Sequence, residues 1–256
     1  MPRPLALTRE VSDALADCEL THIARLPIDV AAARAQHAAY ERALADAGYR
    51  IERLRAGADL PDSVFIEDTA VVFDEIAVIT RPGAASRRGE VPAVAEALAK
   101  HRQIRTIEAP ATIDGGDVLA AGRRVFVGLS SRTNPDAARQ LRSILTPFQY
   151  SVCELALGDC LHLKSAVTWL GEDLLLANPE WVDVSAFGGF DIVAVDSSEP
   201  AAANALRLRD RVVLAAGFPR TADAVRARGL QVVTVDASEL AKAEGGVTCC
   251  SLILEH

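Results

Sequence analysis

One order of elements returns about every 45 residues along the 256-residue chain: strand, polar loop, helix, strand, loop, strand. The first unit reads as an apolar strand over 5–8 and a helix over 30–47 capped by Asp29 and ended by Gly48. A strand over 49–54, a loop over 56–63 and a strand over 64–73 complete it. In the second, a strand over 76–80 and the polar loop 81–88 precede Val91, Val94, Ala95 and Leu98, which form one helical face. Strand 104–107 follows, and Asp114-Gly115-Gly116-Asp117 leads into the next strand. The third has a strand over 125–129, a helix capped by Asn134 with Pro135 at its first position, a strand over 150–154, and an apolar run over 161–167 read as strand. The fourth is worn, with strand 174–177, a shortened helix near 179–185, strand 191–195 and a strand headed by Asn204. The fifth is clear again: strand 212–215, helix 221–228, strand 231–235 and a tail beginning Gly245-Gly246-Val247-Thr248-Cys249-Cys250. These units (1–74, 75–122, 123–171, 172–209 and 210–256) predict one α/β domain over 1–256, a five-bladed pseudo-symmetric α/β propeller of ββαβ units.

The polar residues heading each final strand keep the period. Asp68, Asp114, His162, Asn204 and Cys249 are separated by 46, 48, 42 and 45 residues. If the units close around an axis, these positions meet at its centre. A cysteine, a histidine and an acid there match a nucleophile, its base and the group that orients the base. Asp114 is placed to fix the tautomer of His162. In a strand, Cys249 and Cys250 point to opposite faces, so only one serves a cleft and the other joins the core. Glu67 and Asp68 stand together in an apolar strand, where unpaired carboxylates are costly. They predict either an ion pair to Arg81 or Arg87, or a guanidinium ligand. Cys160 and His162, two apart on one strand face, suggest a metal, but no further ligands stand at zinc-like spacing.

The balance of 27 basic and 35 acidic residues gives a net charge of −8, with no Lys/Arg-rich run, which disfavours nucleic acid as partner. No apolar run reaches the 18 or so residues of a membrane span, and the first residues lack a signal peptide's apolar segment. Five cysteines without CxxC spacing predict reduced thiols in a cytoplasm.

Seven motifs in order resemble the dimethylarginine dimethylaminohydrolases: Phe65-Ile66-Glu67-Asp68, Arg81-Pro82-Gly83, Ser86-Arg87-Arg88, Asp114-Gly115-Gly116-Asp117-Val118-Leu119, Gly128 through Asn134, Leu161-His162-Leu163-Lys164-Ser165 and Thr248-Cys249-Cys250-Ser251. The resemblance spans nearly the whole chain and implies the guanidino-modifying (pentein) fold, a five-bladed propeller. It implies Cys249 as nucleophile, His162 as general acid and base, and Asp114 as its orienter, in a position where some relatives have glutamate. Glu67 and Asp68 would hold the guanidinium nitrogens, Arg87 and Arg132 the substrate α-carboxylate, and Asp62 the α-amino group, with the backbones of Leu20 and Ala243 assisting. The implied reaction converts asymmetric dimethylarginine or monomethylarginine to citrulline and an amine through a covalent thiouronium. No cofactor is implied; zinc enters only as an inhibitor at Cys249 and His162. The implied partner is a small methylated arginine, and a homodimer is open. Two alternatives stand beside this: an arginine deiminase-like hydrolase, whose family is longer and carries an extra helical insertion, and a non-catalytic propeller of the ribosome-binding kind.

Overall fold

The computed structural model describes residues 3–57 and 59–255; Met1, Pro2, Ala58 and His256, with the expectations that touch them, lie outside the described residues. The chain opens with β1 (Leu5–Arg9), α1 (Val30–Asp46) and β2 (Arg50–Leu54). It continues through β3 (Ala70–Val72), β4 (Ile76–Ile79), α2 (Val91–Leu98), β5 (Gln103–Thr106), β6 (Val118–Ala121), β7 (Arg124–Leu129), α3 (Pro135–Leu145) and β8 (Ser151–Ala156). Then come α4 (Leu163–Ala166), β9 (Val167–Gly171), β10 (Leu174–Ala177), β11 (Asp191–Ala194), β12 (Ala205–Leu208), β13 (Arg211–Ala215), α5 (Pro219–Ala227), β14 (Gln231–Val235), α6 (Ser238–Ala241) and β15 (Leu252–Leu254).

These strands make five sheets of three, ordered β15-β1-β2, β3-β4-β5, β6-β7-β8, β9-β10-β11 and β12-β13-β14. In every sheet the first pair is antiparallel and the second parallel. A parallel pair needs a crossover, and the helices supply it. The expected helix starts are present: Asp29 accepts the Ala32 N–H at 3.0 Å and Asn134 the Ala137 N–H at 3.1 Å. Gly48, at φ +94°, takes the left-handed conformation that ends α1. The fourth crossover differs from expectation. Between β10 and β11 the chain forms a 3-10 turn, Val184–Phe187, in place of the expected helix, in a stretch where Asp183 caps the Ser185 N–H and three β-branched or aromatic residues, Trp181, Val182 and Val184, weaken helix propensity.

The sheets and the sequence repeats are out of phase by one strand. The last strand of each repeat pairs into the next sheet, and β15 pairs antiparallel with β1, so the chain's two ends share a sheet. The central strands alternate between two cores: Ala77 and Ile79 of β4 pack in one cluster, Ile76 and Val78 in the next. In β7, Val125 and Val127 likewise pack in that same second cluster and Phe126 in the following one. With both faces buried, such strands are apolar throughout. Each of the five hydrophobic clusters joins two consecutive sheets, and the one holding Tyr40 and Leu44 with Val213 and Val235 joins the fifth to the first. The ring is closed by packing, and no sheet rolls into a barrel.

Candidate active site

The repeat-equivalent polar residues lie together, but in turns rather than strands. The expected strand over 64–73 begins as a 3-10 turn, Ile66–Thr69, which carries Glu67 and Asp68. Gly115–Asp117 forms a similar turn, His162 is the N-cap of α4, and Pro200–Ala203 makes a third 3-10 turn before Asn204. A turn over 247–250 holds both tail cysteines. The physical reason is hydrogen bonding. A strand spends its N–H groups on its neighbours, whereas the first turn of a helix leaves N–H groups that a buried carboxylate can accept. Gly116 N–H donates to Asp68 at 3.0 Å and Leu163 N–H to Asp117 at 3.0 Å. The strand-alternation argument for the cysteine pair therefore does not apply, although the two still differ: Cys249 lines the cavities and Cys250 is buried. Cys160 and His162 share no strand face either. The Cys160 thiol is pushed up to about 11 by burial, then by Asp117 and Asp159.

His162 is held between acids. Its Nε2 lies 3.1 Å from Asp114 Oδ2, and its Nδ1 lies 3.8 Å from Asp68 Oδ1. Burial lowers the imidazole's proton affinity, but Asp68, Asp117 and Asp114 outweigh it and raise the pKa to about 9. Asp114 is itself fixed, accepting the Gly83 N–H at 2.9 Å. At neutral pH the imidazole is a cation that can give up a proton.

Both carboxylates of the first turn have cationic partners from elsewhere in the ring. Lys164 Nζ approaches Glu67 Oε1 at 2.5 Å, and the Thr248 hydroxyl donates to Oε2 at 2.8 Å. Asp68 Oδ2 lies 2.5 Å from Arg87 Nη1; burial raises its pKa, but His162 and Arg87 together bring it down to about 2. Arg87 also donates to both Glu90 oxygens and to the carbonyls of Asp62 and Phe65. Of its five donors, one Nη1 hydrogen is left for a ligand.

The Cys249 sulfur accepts the Gly246 N–H at 3.3 Å and lies 4.0 Å from the Thr248 hydroxyl. Burial, then Glu67 and Asp68, push its pKa up to about 12, so the resting group is a thiol. Cys249 and His162 line two cavities in common. One, of about 20 Å³, is also lined by Asp62, Asp68, Arg87, Asp114, Arg132 and Ala243. The other, of about 570 Å³, takes in Glu67, Lys164 and Gly116. Asp62 is buried and accepts the Glu19 N–H at 3.2 Å. The half-buried Arg132 donates to the Thr21 hydroxyl at 2.9 Å. Leu20 lines neither cavity; its side chain packs on the cluster that closes the ring. Asp68, Asp114 and His162 are the one cluster of metal-ligand type among the described residues, their atoms within 4.8 Å of one another. Arg87, Gly83, Gly116 and the imidazole already occupy those carboxylates, and a protonated imidazole offers a metal no lone pair.

Several residues of this site carry no role in the sequence reading. Lys164 and Thr248 hold Glu67, Glu90 holds Arg87, and Asp117 orients the start of α4 beneath His162 while accepting the Ser130 and Thr133 hydroxyls at 2.6 Å. Asp117 had a signal, a second acid one turn after Asp114 and next to an apolar strand. The others are distant in sequence from what they touch. Gly116 is fixed by close approach: a Cβ there would lie 2.7 Å from His162 Nδ1 and 2.8 Å from Asp68 Oδ1. Gly116→Ala is expected to lower kcat by about 100-fold, the order of loss that follows a misplacement of about 1 Å. Steady-state kinetics beside a thermal melt separate this from simple unfolding, since the melting temperature should move by only a few degrees.

A five-bladed α/β propeller with a cysteine, a histidine and paired carboxylates at its axis is the architecture of the guanidino-group-modifying enzymes, hydrolases of the pentein superfamily. The comparisons with known proteins narrow the class. The chain is 39% identical over 226 residues to an N(G),N(G)-dimethylarginine dimethylaminohydrolase of Pseudomonas aeruginosa, covering 88% of this chain and 89% of that one. It is 39% identical over 258 residues to the enzyme of the same name from Streptomyces coelicolor, covering 100% and 99%. A solved structure of the Pseudomonas aeruginosa protein, a cysteine-to-serine variant complexed with citrulline, superposes with a TM-score of 0.95 at 36% identity over 99% of this chain and 100% of that one. No protein-family model matches the chain. The chain belongs to the dimethylarginine dimethylaminohydrolase family.

Proposed function

We propose that this protein hydrolyses asymmetric dimethylarginine and monomethylarginine to citrulline and dimethylamine or methylamine, through a thiouronium on Cys249. The observation that carries the reading is the His162 imidazole, set between Asp68 and Asp114 in the same cavities as the Cys249 sulfur. Glu67 and Asp68 take the guanidinium, whose positive charge offsets the two acids that oppose the thiolate. Asp62 takes the α-amino group, and Arg132 with the free Arg87 hydrogen takes the α-carboxylate. Leu20 and Ala243 contribute backbone at most.

With the substrate's cation offsetting Glu67 and Asp68, the Cys249 thiol loses its proton to solvent, the sulfur bonds to the guanidinium carbon, and the C=N electron pair moves onto nitrogen. A nitrogen held by Asp68 lies beside His162 Nδ1, which gives its proton to the departing amine as the C–N bond breaks. The neutral imidazole then accepts a proton from water, the oxygen adds to the same carbon, and the C–S bond breaks as the remaining hydroxyl proton passes to the departing sulfur, releasing citrulline and the Cys249 thiol. The carboxylates stabilise the cationic carbon throughout. These steps draw on side chains alone; zinc belongs to the reading only as an inhibitor that ligates Cys249 and His162. The 1–256 span acts in it as one catalytic unit, because residues from four of the five repeats are required.

All five cysteines are free thiols, which suits a reducing cytoplasm, and no helix among the described residues is long and apolar enough to cross a membrane. The test offers asymmetric dimethylarginine, monomethylarginine and arginine separately, with citrulline and amine measured. Citrulline with dimethylamine is expected from the first and little turnover from unmodified arginine. Ammonia and citrulline from arginine as the main reaction would favour the deiminase-like alternative.

A further inference from the structure

We propose that this protein also removes Nω substituents larger than methyl, straight alkyl chains or a benzyl group, as the corresponding primary amines. The inference rests on the reading above. Asp62, Arg87 and Arg132 border the small cavity of about 20 Å³ and not the large one, so the amino-acid end of a substrate lies on their side. Cys249 and His162 border both. The nitrogen that leaves therefore faces the cavity of about 570 Å³. Two methyl groups occupy a small part of such a space, since pockets that enclose whole drug-sized ligands run from about 300 to 1,000 Å³.

The walls suit carbon. Trp181 and Phe218 are half-buried there, with Ala201, Ala215 and Gly217 leaving room between them. Of the acids of the lining, Glu244 accepts the N–H groups of Thr21, His22 and Ile23, while Asp159, its side chain 97% exposed, and Asp236, which accepts the Ser238 N–H at 3.0 Å, stand in solvent at the rim. Glu67 is paired with Lys164. An apolar substituent resting on Trp181 and Phe218 displaces water there while the carboxylates of Asp159 and Asp236 keep theirs at the exposed rim.

With Nω-benzyl-L-arginine the bonds balance as for the methylated substrate. The sulfur adds to the guanidinium carbon, benzylamine leaves with the His162 proton, and water replaces sulfur to give citrulline. Neither oxidant nor reductant is consumed.

The experiment measures kcat/KM for asymmetric dimethylarginine, Nω-butyl-L-arginine and Nω-benzyl-L-arginine, with the released amine identified. The larger substrates are expected within about tenfold of the methylated one. Gly217→Phe then tests the location, because a Cβ at Gly217 meets no heavy atom within 4 Å and the ring has room to enter the cavity. That variant, and independently Ala201→Phe, should lower kcat/KM for the benzyl substrate by about 50-fold and for dimethylarginine by less than about threefold. Turnover of dimethylarginine without turnover of either larger substrate overturns the inference and leaves the function standing. Equal losses for both substrates in both folded variants overturn the location. If no substrate is turned over, the functional reading falls and takes the inference with it.

Discussion

Cys249→Ser is expected to lower citrulline formation by a factor on the order of 10⁴–10⁶ while dimethylarginine still binds within about threefold of the parent affinity. The size of the loss follows from the charges around the sulfur. The thiol already sits at about 12 because burial, Glu67 and Asp68 oppose an anion, and a hydroxyl in the same place holds its proton more tightly still. In a serine hydrolase a neutral histidine takes that proton. His162 cannot, because its own pKa is raised to about 9 and it is already protonated at neutral pH. Only a group acidic enough to ionise beside a bound cation can attack here, and sulfur is that group. Binding should survive because the groups proposed to hold the substrate, Glu67, Asp68, Asp62 and Arg132, are untouched. Initial rates of citrulline release and calorimetric titration of the variant measure the two quantities. A rate within tenfold of the parent would remove Cys249 from the nucleophile's place.

The ring was readable because it is written in local terms. Helix caps at Asp29 and Asn134, apolar central strands and a steady period each have a physical cause within a few residues of one another. The period alone brings Asp68, Asp114, His162 and Cys249 to one place. Two things were not readable in the same way. One is the local conformation of the site: Glu67 and Asp68 sit in an apolar run that reads as strand, yet they lie in a 3-10 turn whose buried carboxylates are met from elsewhere in the ring, by Lys164 and Thr248 on Glu67 and by Arg87 and the Gly116 N–H on Asp68. The other is pairing across the ring. Lys164 meets Glu67 from 97 residues away, and nothing in the surroundings of either residue names its partner. Arg87 stood equally as an ion-pair partner of Asp68 and as a ligand for carboxylate; its buried bonds to Asp68 and Glu90 meet the first description and leave one hydrogen for the second. The out-of-phase sheets have the same origin, since which strand pairs with which is decided by closure of the ring.

Glu67→Gln is expected to make Cys249 more reactive toward a neutral alkylating agent and the enzyme less active toward its substrate. The opposite signs come from one carboxylate acting in two states. With no cation bound, Glu67 raises the pKa of the thiol; with the thiol at about 12, roughly one site in 10⁵ is thiolate at pH 7, and alkylation should quicken about tenfold per pH unit up to that value. Removing the charge lowers the thiol's pKa, so the whole alkylation profile moves toward lower pH. Burial is the largest cause of the shift and remains, so the gain stays below the roughly 10³-fold that separates 12 from the ordinary value of 9.0. With substrate bound, the guanidinium does the same job of neutralisation, and losing Glu67 removes one of its two anchors. In the parent, kcat should therefore reach its plateau at a pH where alkylation of the free enzyme is still rising. It should then decline as His162 loses its proton, at a pH below the value of about 9 of the free enzyme, because the bound cation also offsets Asp68. The sign for stability agrees: a histidine raised from 6.5 to about 9 contributes fully below 6.5 and loses that contribution as pH climbs through 9. Alkylation rates with iodoacetamide from pH 6 to 10, beside kcat over the same range, measure both halves. If Glu67→Gln leaves the alkylation profile unmoved, negative charge is not what keeps the sulfur protonated, and the substrate's own cation loses its part in activating it.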